Sequence, residues 1–454
     1  MCRIACPVLQ GHIETSATEL LACLKRRLNG IWRESRSKQL GAACPPIEPL
    51  RGCQQCMWSV SHRRKGKKCN FEFGDILIPP YRESRNAASR SYFNAPRYPG
   101  VDLYAPKKAT ARFGCVVISN AFPKNLAWNG GPSRLKCEHG STFWMNNEPH
   151  LKDNVIAIKA LMYMDDIYLL TPRMKHGVLS TVWLILREQR VELEPYPDLR
   201  SHNIGDCSAI QNAVDFYLDN LGNLWVLDTG IIDTLESPRC TCPPKVTVIS
   251  ILLGKITKRI DISVLAEPNS LLQNIVVEYG HVGKIFIYIS DASRGAVLVY
   301  EVSSETGWAV IACAPSVGLQ IAMIKRAPAH NILIIVILHQ QGLFELDTSA
   351  LRRRNSISPI RVYGDHTKAV LLLGSDAHHI YLRHVECSDV LSWDTRHAYN
   401  SSRLANIHSA GPRLTPTSVA AHPLRPILLV LDSNYADTVN GHLPTYHKIS
   451  FIEQ

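Results

Sequence analysis

The chain has 454 residues, with 50 Lys+Arg against 39 Asp+Glu, 14 Cys and 46% hydrophobic residues. That apolar content excludes a wholly disordered chain, and the length allows one large architecture or two to three average domains. The longest apolar runs, such as Ile332 to Leu338, fall far short of the roughly 20 residues of a membrane-spanning helix, so the sequence reads as soluble and globular.

The excess positive charge is local. Residues 1–150 hold 23 Lys+Arg and 10 Asp+Glu, whereas residues 151–454 hold 27 and 29. Nine of the 14 Cys also precede residue 150. Within residues 1–69 only Leu20 to Leu28 suggests a short helix. Met1 to Gly11 lacks the apolar run of roughly 7–15 residues that a secretory leader uses. That points to a cytosolic chain or to a start other than the native one. Cys53, Cys56 and Cys69 have zinc-like spacing, but no second close pair completes a tetrahedral site, so loose thiols or disulfide partners fit better. The basic run Arg63 to Lys68 has no interleaved aromatics on which bases would stack. It reads as a solvated segment rather than a nucleic-acid surface.

From residue 151 onward a short apolar strand recurs six times. The copies are centred on Tyr168, Trp225, Tyr288, Ile334, Tyr381 and Leu429, at spacings of 57, 63, 46, 47 and 48. Around Trp225 the neighbouring β-rich stretches are Ala209–Phe216, Lys245–Leu252 and Lys255–Ile262. Around Tyr288 they are Leu272–Glu278, Ala296–Val302 and Trp308–Cys313. Four short strands per unit, joined by turns and repeated radially, predict an all-β, six-bladed β-propeller. Paired β-sandwiches would also show many strands, but give no reason for a period near 47. Ring closure needs a strand from the other end of the chain. Asn70 to Leu77 alternates well enough to complete the blade begun by Tyr446 to Ile452. The expected organisation is therefore an irregular segment 1–69 and a propeller over 70–454, with 86–145 as an insertion.

Three segments resemble the Yellow/major royal jelly protein family of arthropods. Tyr168-Leu-Leu-Thr-Pro-Arg173 with Lys175, Gly177 and Val178 is similar to its first block. Leu224-Trp-Val-Leu-Asp-Thr-Gly230 with the downstream Cys242-Pro-Pro-Lys245 is similar to its most specific block. Tyr288-Ile-Ser-Asp291 with Gly295, Val299 and Tyr300 resembles the third, and Phe71-Glu-Phe73 with Arg82 to Arg85 resembles the opening strand. Leu179 stands where the family usually has Pro, and Asn220 or Leu221 where many members have Cys. These departures mark a diverged member, or a chain whose first residues replace the family's signal peptide. The resemblance implies a secreted six-bladed propeller acting in cuticle pigmentation, melanin chemistry or development. Its partner would be a small aromatic amine, a catechol-type ligand or another protein, with dopachrome conversion as the alternative.

Loops following the marker strands are the natural ligand-contacting positions, which singles out Arg173, Asp228, Asp291 and Asp432. Three converging carboxylates have the chemistry to hold Ca²⁺ or an amine, and nothing specifies a cofactor or metal. The competing reading is that each Asp caps a turn. Trp225 reads as core. Functional and salt-bridge readings of Arg173 are level. His378, His379 and His384 have spacing that would set two imidazoles on one strand face. Asn400-Ser401-Ser402 is an N-glycosylation sequon. In an oxidising compartment Cys240 or Cys242 would pair with Cys207 or Cys313.

Overall fold

Alternation and burial explain the strands directly. Lys159–Tyr163 alternates half-buried and buried positions, whereas Asn223–Asp228, Ile285–Asp291 and Ile427–Ser433 are buried almost throughout. A strand covered on both faces needs apolar residues at every position, so it loses the period-two signature. The structure, a computed structural model, describes residues 125–454 apart from 133, 137–141, 145–151, 188–190, 281–282, 328–329, 339–341, 354–360, 364–368 and 442–443. The strand expected at Asn70–Leu77, the Phe71 and Arg82 segments, the thiols Cys53, Cys56 and Cys69, and the basic run at Arg63 all lie outside the described residues.

Among the described residues, six four-stranded antiparallel sheets follow one another along the chain, forming a six-bladed β-propeller. Blade one comprises Lys159–Tyr163, Asp166–Leu170, Val182–Arg187 and Val191–Pro195. Blade two comprises Ala213–Leu218, Asn223–Asp228, Lys245–Ser250 and Lys255–Asp261; blade three, Leu272–Tyr279, Ile285–Asp291, Ala296–Glu301 and Thr306–Ile311. Blade four comprises Leu319–Ala327, His330–Ile337, Leu343–Asp347 and Arg361–Tyr363; blade five, Val370–Ser375, His379–His384, Asp389–Asp394 and Ala405–Ser409. Blade six uses Thr415–Ala421, Ile427–Ser433 and Tyr446–Glu453, and its fourth strand is Asn125–Asn129. All six marker residues fall on second strands.

Closure therefore differs from the expectation. The place next to Tyr446–Glu453 is filled by Asn125–Asn129, from within the segment read as an insertion, with Leu126 opposite Ile449 and Trp128 opposite His447. Leu126 is buried in the apolar cluster between blades six and one, which also holds Trp183, Leu429 and Ile449. Trp128 stacks on His447 with ring centroids 4.9 Å apart. These contacts outweigh alternation in choosing the strand, because alternation alone carries no information about which sheet edge is vacant.

One apolar cluster lies at each blade boundary. Successive residues of a second strand serve opposite boundaries: Val226 packs toward blade one and Leu227 toward blade three. The boundary between blades five and six is the thinnest, with six fully buried apolar residues among those described, against ten or more at every other boundary. There the backbones approach so closely that a Cβ on Gly374 would collide with the Val419 carbonyl oxygen.

At the hub, polar side chains of the first strands join one blade to the next. Asp215 accepts from Ile275 N at 2.9 Å, Asn274 from Ile321 N at 3.3 Å, Gln320 from Leu372 N at 2.9 Å and Ser418 from Ala160 N at 3.0 Å. Pairing of first to second strands shifts register at Ala213/Asp215, Leu272/Ile275, Leu372/Gly374 and Pro416/Ser418. Such bulges turn backbone groups out of their own ladder and toward the neighbouring blade.

Two buried histidines make the fold acid-sensitive. His447 accepts from Ala157 N at 2.9 Å through Nε2, and burial pushes its pKa down to about 3. His202 Nε2 donates to the Tyr196 carbonyl at 2.9 Å; burial, reinforced by the Arg173 charge, pushes its pKa down to about 4. An unfolded histidine titrates near ~6.5. Below that value the unfolded chain binds protons the fold refuses, so stability falls as pH falls. The loss is about 1.4 kcal/mol per pH unit for each group until its folded pKa is reached. Denaturant midpoints measured between pH 7 and pH 4.5 should fall steeply. The variant His447→Gln should show a visibly shallower slope; an unchanged slope would remove His447 from the account.

Candidate functional site

Antiparallel connectivity places the loops after second strands and the loops after fourth strands on the same edge of every blade. This loop face carries Arg173, Asp228, Asp291 and Asp432. In blade one the loop after Leu170 runs through Thr171, buried Arg173 and Val178 before Val182. All five guanidinium N–H groups of Arg173 meet carbonyl oxygens. Nε donates to Val178 at 2.8 Å, one terminal nitrogen to Ile210 at 3.2 Å and to Gln211, and the other to Leu179 and His202, each at 2.7 Å. Burial pushes the Arg173 pKa down to about 10, opposed by the charges of Asp228 and Asp233. The side chain fastens the loop of blade one to the chain that enters blade two.

Asp228 ends the second strand of blade two and is fully buried. It accepts from Gln211 N at 2.8 Å, Asn212 N at 2.8 Å and Gly230 N at 2.9 Å, and pairs with buried Lys245 at 2.7 Å. Gly230 has a φ of 69°, and a Cβ there would collide with the Cys242 carbonyl oxygen. This explains Asp228-Thr-Gly230 as a turn that also holds the Cys242-Pro-Pro-Lys245 segment. Cys242 is disulfide-bonded to Cys207, 35 residues earlier. Of the four thiols considered, Cys240 and Cys313 stand outside that bond.

Asp291 occupies the same place in blade three, accepting from Ser270 Oγ at 2.5 Å, Leu271 N at 2.9 Å and Ser293 Oγ at 2.9 Å. Asp432 occupies it in blade six and is different. His408, from the outer strand of blade five, meets Asp432 Oδ2 through Nε2 at 2.8 Å. Asp432 Oδ1 is buried with no hydrogen-bond partner among the described residues.

Asp228, Asp291 and Asp432 share a topological position but serve separate blades. Among the described residues no group of three or more His, Cys, Asp or Glu is arranged to hold a metal ion. The structure therefore does not bring the three carboxylates into one calcium-type cluster. The histidine expectation is also corrected. His378 lies in the turn before the strand, His379 meets Asp376 at 3.2 Å, and His384 ends the strand. Five residues of strand separate His379 and His384 by about 16 Å and set them on opposite faces. Trp225 is buried at the boundary of blades two and three, with Nε1 donating to Asp219 at 2.8 Å. On the opposite face of the ring, exposed Asn400 accepts from Ser402 N at 2.9 Å and Ser402 Oγ at 2.7 Å, an Asx-turn at the sequon.

Sequence reasoning missed Lys159, Asp215 and His408. Lys159 Nζ meets Asp215 at 2.7 Å at the hub, with its side chain 24% exposed. The one available signal for the hub was a charged residue interrupting an otherwise apolar first strand. His408 gave none, because an outer strand such as Ala405–Ser409 is mostly solvent-facing and its polar residues look ordinary.

The family model described as "Major royal jelly protein" matches residues 211–314, from the Gln211 amide that caps Asp228 to the end of blade three. Protein yellow of Drosophila yakuba is 26% identical over 166 residues, covering 35% of this chain and 31% of that protein. Dopaminechrome tautomerase of Drosophila melanogaster is 29% identical over 172 residues, covering 36% of this chain and 37% of that protein. The match thus spans about a third of each relative's length. Among solved structures, an α-L-arabinofuranosidase from Fusarium graminearum aligns with a TM-score of 0.43 at 8% identity, over 72% of this chain and 98% of that one. Over blades two and three, where the specific turn block and its Cys-Pro-Pro-Lys segment lie, the chain matches the Yellow/major royal jelly protein family.

Proposed function

We propose that this propeller handles a catechol-derived aromatic amine in melanin chemistry, and that its reaction is conversion of an aminochrome to a dihydroxyindole. The observation that carries the reading is the 29% identity to a dopaminechrome tautomerase. The reaction needs a base to take a proton from a saturated ring carbon and a donor to stabilise charge on the quinone oxygen. Arg173 has no N–H left for that oxygen. The broader reading, capture of an amine or a partner protein in pigmentation or development without turnover, is favoured by the similarity to Protein yellow.

One assay separates the two. Purified protein is mixed with dopaminechrome and its visible absorbance is followed against a heat-treated control. Faster decay supports the enzyme, and no acceleration ends that reading. Calorimetric titration with dopamine then decides capture, which is lost if no heat is released.

Extracellular residence belongs to the same proposal. The relatives, the Cys207–Cys242 disulfide and the exposed Asn400 turn support it. Among the described residues no helix is long and apolar enough to cross a membrane. Native protein recovered from tissue should lose one glycan's mass with peptide N-glycosidase, converting Asn400 to Asp, and should yield a Cys207–Cys242 linked peptide. A bare Asn400 and reduced thiols would argue for residence inside the cell.

A further inference from the structure

The end of the second strand is occupied by a buried Asp in blades two, three and six, and only two of these spend the carboxylate on the chain. Asp228 and Asp291 take backbone N–H groups from the segment entering their own first strand. In blade six Pro416 stands opposite Asp432, and the segment ahead of it gives the carboxylate no N–H: Leu414 N donates to the Gly411 carbonyl at 3.0 Å instead. The carboxylate turns instead to His408 across the thinnest blade boundary.

A carboxylate only accepts, so His408 Nε2 carries the hydrogen in the neutral ring and Nδ1 presents the lone pair. Asp432 is fully buried, while 11% of the His408 side chain stays exposed. Nδ1 is engaged by no described residue. A buried carboxylate fixing one imidazole nitrogen while the other keeps its lone pair unengaged by any described residue is the arrangement of an activated general base. The charged groups nearby are Lys448, the cross-strand partner of Asp432; Asp389, which accepts from Ser409 Oγ at 2.6 Å; and Arg383 of blade five, whose Nε donates at 3.1 Å to the carbonyl of Pro416, the other cross-strand partner of Asp432.

We propose that His408 is the general base of this propeller, with Asp432 as its positioning residue, acting on a carbon acid of the aminochrome class. The proposal rests on the tautomerase reading for its substrate. The C–H bond at one saturated ring carbon breaks toward Nδ1, and its electron pair moves through the ring to one quinone oxygen, which takes a proton and leaves a quinone-methide isomer. Loss of a proton from the second saturated ring carbon, with protonation of the second quinone oxygen, completes the dihydroxyindole. Substrate and product are isomers, so no oxidant or reductant is consumed. Asp432 holds the tautomer and stabilises the imidazolium, and its unpartnered Oδ1 leaves it free of any competing backbone duty.

The test compares wild type, His408→Gln and Asp432→Asn, each checked for an unchanged thermal midpoint. With dopaminechrome, His408→Gln should lower kcat by about 10²–10⁴-fold with little change in KM, and should abolish the acidic limb of the kcat–pH profile. Asp432→Asn should lower kcat by about tenfold or more, by releasing the wrong tautomer. A His408→Gln variant with wild-type kcat overturns the proposal while leaving the tautomerase reading intact. If wild type does not accelerate the reaction, the tautomerase reading falls, and a substrate-free measurement decides the pair. Carbethoxylation by diethyl pyrocarbonate, mapped by mass spectrometry, should reach His408 faster than His176, although the His176 side chain is 66% exposed. Asp432→Asn should remove that advantage. His408 reacting no faster than His176 overturns the base assignment.

Discussion

Replacing Asp228 by alanine lowers the stability of the propeller by about 4 kcal/mol or more, read as a shift of the denaturant midpoint. Three backbone N–H groups, of Gln211, Asn212 and Gly230, lose their acceptor inside the protein. Each buried unsatisfied donor costs about 1–3 kcal/mol. Lys245, 7% exposed, also loses its only ion-pair partner among the described residues. Breaking a buried pair from one side costs about 3–5 kcal/mol. These terms overlap, because the same oxygens serve both, so the lower end is the safer expectation. A folded protein holds only about 5–15 kcal/mol in all. Asp228→Asn keeps one acceptor oxygen but leaves the lysine unpaired, and should fall between wild type and alanine. A shift below about 1 kcal/mol for alanine would show that the turn finds its hydrogen bonds elsewhere. The same variant separates the two readings of this residue, since a ligand carboxylate would be lost without a change in stability.

The Asp228 turn also shows what was legible in the sequence. Second strands were readable because both faces are covered and every position must be apolar, as in Asn223–Asp228 and Ile285–Asp291. Their spacing gave the blade count, and the first and third strands followed by their order around Trp225 and Tyr288. The closing strand was not readable. Asn125–Asn129 has two apolar side chains that matter, Leu126 and Trp128, and their value lies in the blade-six positions opposite them. Asn70–Leu77 alternates better, but alternation records a half-buried surface and not a partner. The site shows the same division. Three aspartates were found by their place after a repeated strand, and that place is real. What each does depends on residues distant in sequence: Lys245 for Asp228, Ser270 for Asp291 and His408 for Asp432. A position within a repeat is local information, whereas a hydrogen-bond partner is a property of the folded ring.

Arg173→Lys should destabilise the protein by about 3 kcal/mol while leaving the handling of an aromatic amine unchanged. The guanidinium satisfies five carbonyl groups, of Val178, Leu179, His202, Ile210 and Gln211, from a side chain that is 1% exposed. An ammonium has three donors and no planar fork, so at least two of these oxygens lose their side-chain donor. Net hydrogen bonds from a charged donor contribute about 1.5–3 kcal/mol each. Two lost bonds, partly recovered by relaxation of the exposed stretch around His176, give the expected figure. Lysine also holds its charge less firmly than arginine, and burial already lowers the pKa of Arg173 to about 10. The effect should therefore grow as pH rises toward the lysine range, where the ammonium deprotonates and a further donor is lost. Thermal midpoints at pH 7 and pH 9 measure this directly. The two roles of Arg173 then make opposite demands on one variant. If the residue fastens blade one to blade two, the midpoint drops and the KM for dopaminechrome, taken well below that midpoint, does not move. If it binds ligand, KM rises and the midpoint stays. The five carbonyl contacts decide for the first, because a guanidinium that had to release a substrate would need at least one N–H that the chain does not already hold.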